Sequence, residues 1–382
     1  MTESVLEGHA RAMAVVELGA IEHNCTRIAE QLDGAELCAV VKADGYGHGA
    51  VESASAALAG GATWLAVATA DEAVELRAAL PHARLFVMGA LSPPELDAAL
   101  EADADVAIWR AGFFDLIRER ARARGVRPRL HVKFDSGMGR LGERNERAVT
   151  ELADAVAAAD EVDLTGFWTH FATADEPGSS FFAEQLDRYR SLSDEIRSRH
   201  PEVIRHAANS AATLIEPGSH FDMVRCGVAI YGLDPFQEAP GPRRLEPALS
   251  LYSYVADVKR FETGASAGYG QQWRATEPTW VGVLPIGYGD GVRRALSNNA
   301  DVLVGGRRHA LVGTVSMDNI TIDLGPETDV APGDPAVLIG HQGGETILCE
   351  EVAMRLATIN YEVTCGISAR VPRRYVLSGP EA

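Results

Sequence analysis

Between residues 37 and 232, short β-branched runs alternate with alanine-, glutamate- and arginine-rich stretches of helical character, and few folds accommodate that alternation. The strand-like runs are Leu37–Val41, Trp64–Ala68, Arg84–Met88, Asp105–Trp109, Arg129–Phe134, Leu164–Trp168, Val203–Ala207 and Met223–Cys226. Eight parallel strands with intervening helices fit a closed (β/α)8 barrel of the TIM type, whose active site lies at the carboxyl ends of the strands. The polar outliers fall at those ends. Lys42 follows the first run, Lys133 and Asp135 end the fifth, His170 follows the sixth, Asn209 and Ser210 follow the seventh, and Arg225 and Gly227 close the eighth. An open doubly wound sheet would not gather all of them.

The stretch Asp234–Pro247 holds four prolines and little periodicity, so it reads as a linker. From Ala248 onward, strand-like pieces (Leu251–Val258, Trp280–Pro285, Asp301–Val304, Ala336–Ile339) are separated by glycine- and proline-containing turns, and only Glu350–Thr358 looks helical. The fold class is therefore α/β: a barrel domain over residues 12–243 followed by a mainly β domain over 244–382. The opening piece Ala14–Leu18 is compatible with either domain and is counted with the barrel.

A chain of 382 residues exceeds what one hydrophobic core usually supports, in keeping with two domains. Its 35 basic and 54 acidic residues give a net charge of −19, which opposes nonspecific binding to nucleic acid or to anionic membrane surfaces. A small-molecule enzyme fits that balance. The first nine residues lack the basic start and apolar stretch of an export signal, and no run approaches the ~20 apolar residues of a membrane helix, so a cytoplasmic protein is expected. The five cysteines are scattered and nowhere form a Cys-x-x-Cys pair, which reads as reduced thiols with no zinc or other metal site.

Residues 37–49, Leu-Cys-Ala-Val-Val-Lys-Ala-Asp-Gly-Tyr-Gly-His-Gly, run from a buried strand through Lys42 into a glycine-spaced loop. The core shields one side of such an amine and favours its neutral form, while the loop leaves its tip open to a ligand. Lys42 is a Schiff-base candidate on these grounds, and a solvated lysine in an ordinary strand-to-helix turn is the alternative. Gly45, Gly47 and Gly49 allow close backbone approach to a ligand, and Tyr46 offers a hydroxyl to an anion. The lysine precedes the glycines, so this is not a nucleotide P-loop.

Taken with His170-Phe-Ala-Thr-Ala-Asp-Glu176 and Arg225-Cys-Gly-Val-Ala-Ile-Tyr-Gly232, the lysine loop makes the chain resemble the alanine racemases. The second domain adds Gly268-Tyr-Gly270, Leu284-Pro-Ile-Gly-Tyr288, Ser316-Met-Asp318 and Thr358-Ile-Asn-Tyr-Glu-Val363, so the match runs nearly end to end. The resemblance implies a pyridoxal phosphate enzyme that interconverts L- and D-alanine by a two-base mechanism, the D-alanine being a peptidoglycan precursor. Lys42 would hold the cofactor as a Schiff base and serve one face of the substrate α-carbon. Tyr46, Ser210, Gly227, Val228 and Tyr361 would hold the phosphate, with His170 and Asn209 completing the cofactor's surroundings. Asn209 would either orient a neighbour or form a turn, and Ser210 would combine a contact with a helix cap.

Arg225 would face the pyridine nitrogen and, having no accessible neutral form, could only donate to it. Tyr269 would serve the opposite face, delivered by the second domain of a partner subunit in a homodimer with shared sites. His170, bridging Tyr269 and Arg225, would let the guanidinium charge favour the phenolate. Arg140 and the Met317 amide would bind the substrate carboxylate, with Lys133, Tyr288 and Asp318 in supporting places. Lys133 beside Arg140 is a pair of like charges, which carbamylation of the lysine would resolve; a solvated lysine or a bound chloride is the other option. Asp175, Tyr288, Arg294, Ile359 and Tyr361 match the family's substrate corridor, and the tyrosine pair implies preference for a small side chain.

Two departures stand out: Thr314 occupies a usual arginine position and Ser316 a usual cysteine position. The first removes a corridor charge and bears on substrate entry. A racemase of another small amino acid or a barrel-fold pyridoxal phosphate decarboxylase is the alternative activity. A cofactor-binding protein without turnover would need only the barrel, and a cofactor-free aldolase would lack a yellow chromophore.

Overall fold

The computed structural model describes residues 10–377; Met1–His9, on which the expectation of no export signal rests, and residues 378–382 lie outside the described residues. The described chain divides into two compact units, Ile21–Ile230 and the combination of residues 10–20 with 231–377.

Strand β1 (Met13–Glu17) belongs to the second of these. In the first, eight strands close a barrel in chain order: β2 (Glu36–Val40), β3 (Trp64–Val67), β4 (Leu85–Val87), β5 (Asp105–Ile108), β6 (Arg129–Lys133), β7 (Asp163–Trp168), β8 (Ile204–His206) and β9 (Met223–Cys226). All neighbours are parallel, and β9 pairs back onto β2. Every expected barrel strand is present with its ends within one residue of those read from the sequence. The reason is physical: strands covered on both faces are near-continuously apolar, as in fully buried Trp64-Leu-Ala-Val67, and such runs stand out from their helical surroundings.

One side-chain set of these strands fills a common core in which Trp64, Phe86 and Trp168 pack beside the smaller Cys38, Ala66 and Ala107. Alternating large and small side chains is how a narrow barrel fills its interior. The helices start where capping chemistry allows. Thr69 and Glu72 form a reciprocal capping box for the helix Ala70–Ala79, and Ser92 with Glu95 does the same before Pro93–Glu101.

The second unit is mainly β. A seven-stranded sheet runs in the order Arg307–Ala310, Asp301–Val304, Pro335–Gln342, β10 (Leu249–Tyr254), β1, Arg373–Val376, with Glu345–Ile347 added on Pro335–Gln342. A three-stranded sheet of Asp257–Phe261, Thr279–Leu284 and Ile320–Gly325 accompanies it. The expected single strand Leu251–Val258 is two strands broken at residues 255–256, and the expected helix Glu350–Thr358 is Cys349–Leu356.

The boundaries 12–243 and 244–382 do not describe these units. Residues 12–20 leave the barrel domain because β1 pairs antiparallel with β10 on one edge and parallel with Arg373–Val376 on the other. A five-residue apolar run carries no mark of partners more than two hundred residues away. The segment 231–243 likewise belongs with the β unit, where Ala248 N donates to Tyr231 O at 3.0 Å.

Cys25, Cys38, Cys226 and Cys349 are buried free thiols, and Cys365 is exposed. Among the described residues no helix is long and apolar enough to cross a membrane, and no three His, Cys, Asp or Glu side chains group as a metal site.

Candidate active site

Strand β2 ends at Val40, and Lys42 opens a turn in which Ala43, Asp44, Gly45 and Tyr46 all have φ between 53° and 59°. This is one turn of left-handed helix. Each non-glycine residue there costs roughly 1–2 kcal/mol, so Ala43, Asp44 and Tyr46 together store roughly 3–6 kcal/mol. Specific bonds hold it. The Glu72 carboxylate accepts from Ala43 N at 2.7 Å, Asp44 Oδ1 accepts from Ala50 N at 3.0 Å, and His48 Nδ1–H donates to Gly45 O at 3.0 Å. The sequence points to glycine freedom in this loop; the structure adds three residues that endure the same conformation without being glycine. Strain of this kind, locked by its surroundings, marks positions whose geometry is needed.

The turn brings Tyr46 against the end of β9, where a Cβ built on Gly227 would lie 2.4 Å from Tyr46 Oη. Ser210 Oγ accepts from Gly227 N at 3.0 Å and from Ala229 N at 3.3 Å, and Val228 begins a 3-10 turn. Asn209, not Ser210, caps the short helix Ser210–Ile215, its Oδ1 accepting from Ala212 N at 3.0 Å. Tyr46, Ser210, Gly227 and Val228 are thus gathered at one end of the barrel, with hydroxyls and backbone amides together.

Arg225, only 3% exposed, sits beside this cluster. Its Nη1 donates to His206 Nδ1 at 3.0 Å, and its Nη2 donates to Thr169 O at 2.8 Å and Ala207 O at 3.0 Å and reaches His170 Nδ1 at 3.4 Å. Every one of those acceptors is neutral. Burial brings its guanidinium down to about 10, which still leaves it charged at neutral pH. The Trp168 ring lies 4.9 Å from the guanidinium carbon and 3.9 Å from Lys133 Nζ, so one indole neighbours both basic groups.

Burial, then the charges of Arg225 and Arg140, lower Lys133 to about 7. Burial, then Arg225, Arg140, Lys133 and Lys42, hold His170 well below the ordinary histidine range. The four basic residues Lys42, Lys133, Arg140 and Arg225 thus act on His170 in one direction, and Arg225 is in direct reach of its ring. Asp135 offsets them only in part, acting on Lys133 against the neighbouring arginines, and its carboxylate also fixes the loop that carries Arg140 by accepting from Gly137 N and Gly139 N at 3.0 Å. Gln185 and Arg188, from the helix Ser180–Arg199, secure the neighbouring loops. Gln185 Oε1 accepts from Ala172 N at 2.8 Å, and Arg188 Nη1 donates to Ser136 O at 3.0 Å. A cluster of this sign lacks a dianion and a carboxylate, and pyridoxal phosphate with an amino acid supplies both. The residues present fit that cofactor.

In the second unit, Tyr269 is 73% exposed and lies between Gly268 and Gly270, both at φ 72°. Thr314 Oγ1 donates to Tyr269 O at 2.7 Å, so the residue standing at the usual arginine position fastens the tyrosine's own backbone. Ser316 Oγ accepts from Asn319 N at 3.0 Å and donates to Asn319 O at 2.7 Å, closing the turn that presents Met317, 51% exposed. Tyr288 N and Gly289 N donate to Ser316 O and Met317 O, and Asp318 is paired with Arg370 at 2.7 Å. Tyr288 and Ile359 are exposed, as are Arg294 of this unit and Asp175 of the barrel, while Tyr361 is half-buried on the helix Asn360–Cys365.

Sequence reasoning passed over His131, His206 and Asp105, which link to Arg225 inside the barrel. A signal existed. His131 stands two residues before Lys133 on the same strand, hence on the same face, and polar residues inside fully buried runs need partners.

Residues 16–235 match the family described as "Alanine racemase, N-terminal domain" and residues 248–375 the one described as "Alanine racemase, C-terminal domain". The chain is 41% identical over 371 residues to the alanine racemase of Symbiobacterium thermophilum, covering 97% of this chain and 98% of that one. The crystal structure of alanine racemase from a D-cycloserine-producing Streptomyces lavendulae superimposes with a TM-score of 0.92 at 37% identity, covering 98% of this chain and 99% of that chain. That of alanine racemase from Bacillus anthracis with bound L-Ala-P gives 0.87 at 38% identity, covering 97% and 96%.

Proposed function

The chain belongs to the alanine racemase family and interconverts L- and D-alanine with pyridoxal phosphate, and on that premise we propose that Lys42 and Tyr269 are its two proton carriers. When bound, the cofactor supplies an electron sink that makes the substrate's α-proton removable. Lys42 holds it covalently and exchanges the proton on one face through Nζ. Tyr46, Ser210, Gly227, Val228 and Tyr361 take the phosphate through hydroxyls and amides. Arg225 donates to the ring nitrogen and, holding its own proton, keeps that nitrogen unprotonated. The sink is thereby tempered, which favours return of the proton over side reactions.

His170 presents Nδ1 to Arg225, so its single proton rests on Nε2 and is available to the Tyr269 oxygen. Tyr269 is exposed on its own unit, which suits delivery to a second copy in a homodimer with shared sites. Arg140 clasps the substrate carboxylate, with the Met317 amide, Lys133, Tyr288 and Asp318 in support. Asn209 acts as a helix cap and holds the cofactor loop only through Ser210. The acidic net charge supports a protein without nucleic-acid or membrane partners, and the buried free thiols of Cys25, Cys38, Cys226 and Cys349 support a cytoplasmic setting.

The observation that carries this assignment is the gathering of the Tyr46 hydroxyl, the Ser210 hydroxyl and the Gly227 amide beside the buried Arg225 at the end of the barrel. Incubation with pyridoxal phosphate and L-alanine in heavy water tests it. D-alanine carrying deuterium at the α-carbon is expected from the parent protein. Lys42→Ala and Tyr269→Phe should each abolish inversion, and an inverting variant would remove that residue from the pair.

A further inference from the structure

Arg225 stands at one end of a buried chain of hydrogen bonds that crosses the barrel. His206 Nε2 lies 2.9 Å from His131 Nδ1, and His131 Nε2 lies 3.0 Å from Asp105 Oδ2, with both rings and the carboxylate fully buried. Asp105 is the first residue of β5, His131 the middle of β6, and Arg225 the third residue of β9, so the chain climbs from the amino ends of the strands toward their carboxyl ends. The rings are packed in place: Trp168 stacks on His206 with an interplanar angle of 2°, and Phe86 stacks on His131 at 4.3 Å.

The proton order along this chain is determined. A guanidinium can only donate, so His206 Nδ1 accepts from Arg225 and the ring's proton sits on Nε2. That proton is donated to His131 Nδ1, which places the His131 proton on Nε2, where the Asp105 carboxylate accepts it. Burial, then Arg225 with His131 and Lys133, keeps His206 neutral; burial keeps His131 neutral against the pull of Asp105, with Arg84 and Arg225 adding to the effect. Burial pushes the Asp105 carboxyl up, and its bonds to His131 and Arg129 outweigh that and keep it ionised. Arg129 Nε donates to Asp105 Oδ1 at 2.6 Å.

We propose that Asp105 and His131 are positioning residues for the racemase site: through a chain with one fixed proton order they hold the Nδ1 lone pair of His206 toward Arg225 and so aim a fully charged guanidinium at the cofactor ring. The nearest anion in the chain stands two imidazoles away from the guanidinium, so Arg225 is held in place without a carboxylate drawing on its charge. This rests on the assignment of Arg225 to the cofactor nitrogen, but the proton order itself does not.

The substitution Asp105→Asn separates the anion from the shape. The amide must turn its oxygen to Arg129, which cannot accept, and its NH2 to His131; Arg84, 3.9 Å from Oδ2, is beyond hydrogen-bond reach. His131 Nε2 must then accept, its proton moves to Nδ1, and His206 follows. The His206 Nδ1–H would face an Arg225 N–H, donor against donor. Adding Arg129→Gln supplies an acceptor for the amide NH2, lets the oxygen return to His131, and restores the original order.

The experiment is solid-state NMR of the holoenzyme with isotope-labelled histidine nitrogens, read alongside kinetics and the visible absorption of the bound cofactor. In the parent protein both rings should be neutral with the proton on Nε2; a proton on Nδ1, or two protons on either ring, overturns the chain. In Asp105→Asn both rings should switch, with kcat lower by roughly 10- to 100-fold, as for outer partners of metal-bound imidazoles, and with a shifted absorption band. The Arg129→Gln double variant should reverse all three changes. Switched rings with unchanged kcat and absorption overturn the positioning role and leave the racemase assignment standing. If Asp105→Asn does not fold, the parent tautomers and the double variant decide the question.

Discussion

Gly227→Ala tests the proposed phosphate site at its tightest point. The φ of Gly227 lies outside the left-handed region, so alanine is conformationally acceptable there and any cost comes from contact. The added methyl would stand 2.4 Å from Tyr46 Oη and 2.8 Å from Tyr46 Cζ, whereas ordinary Cβ contacts begin near 3.4 Å. Tyr46 must therefore retreat by about 1 Å, enough to break a hydrogen bond to a bound phosphate. A bond to a charged group contributes about 1.5–3 kcal/mol, so the dissociation constant for pyridoxal phosphate should rise roughly 10- to 150-fold. Titrating the cofactor-free protein with pyridoxal phosphate, followed by absorbance, measures this directly. Overpacking should also cost the cofactor-free protein about 1–3 kcal/mol in chemical denaturation. The decisive control is Tyr46→Ala, which empties the space: on that background Gly227→Ala should change affinity and stability little. An equal effect of Gly227→Ala on both backgrounds would refute the argument, because the methyl would then be colliding with something else.

Thr314→Val keeps the shape and removes the donor to Tyr269 O, so it should cost about 1 kcal/mol of stability and lower kcat, read by denaturation and by racemisation rates; unchanged rates would show that Tyr269 does not depend on this anchor. Lys133, lowered to about 7 from an ordinary 10.5, binds fewer protons folded than unfolded between those values, so its penalty is on the order of 4 kcal/mol at pH 7 and fades as pH rises toward 10.5. Lys133→Met should accordingly stabilise the cofactor-free protein, in buffer free of carbon dioxide, more at pH 7 than at pH 10, and an equal gain at both would refute the shift. The same partly neutral amine can add to carbon dioxide, forming an N–C bond and releasing a proton. A carbamate signal from the holoenzyme in labelled bicarbonate, absent in Lys133→Met, is expected, and its absence from the parent would leave a bare lysine. Lys42→Ala and Tyr269→Ala, each inactive, should recover about a quarter of the parent activity when mixed with free subunit exchange, since half the dimers are mixed and each keeps one intact site. No recovery in verified mixed dimers would place both residues on the same subunit.

The barrel was readable because its strands are buried on both faces and interrupt an otherwise helical pattern, and the polar ends of those strands located the site. What stayed hidden depends on partners distant in the chain. Nothing within Met13–Glu17 says that its neighbours are Leu249–Tyr254 and Arg373–Val376. Asp105, His131 and His206 each look like an isolated polar intrusion until the barrel closes and sets them in line. The left-handed turn was half legible: Gly45 and Gly47 announce positive φ, but Ala43, Asp44 and Tyr46 take it in a turn held by Glu72 and by the first amide of the following helix, partners that lie outside the loop. Asn209 carried a capping signal that lost to the more conspicuous hydroxyl beside it.

The placement of β1 between β10 and Arg373–Val376 has a consequence for synthesis of the chain. At about 5–20 residues per second, β1 leaves the ribosome on the order of 10–50 s before β10, and later still comes its other partner. Throughout that interval Val15 and Val16 make β1 an unpaired, β-prone segment, while the contiguous barrel unit already has all its strands by residue 226. The first of the described strands to emerge is thus among the last to be paired. During translation the hazard of mispairing therefore sits at β1, which a holding chaperone would meet well before β10.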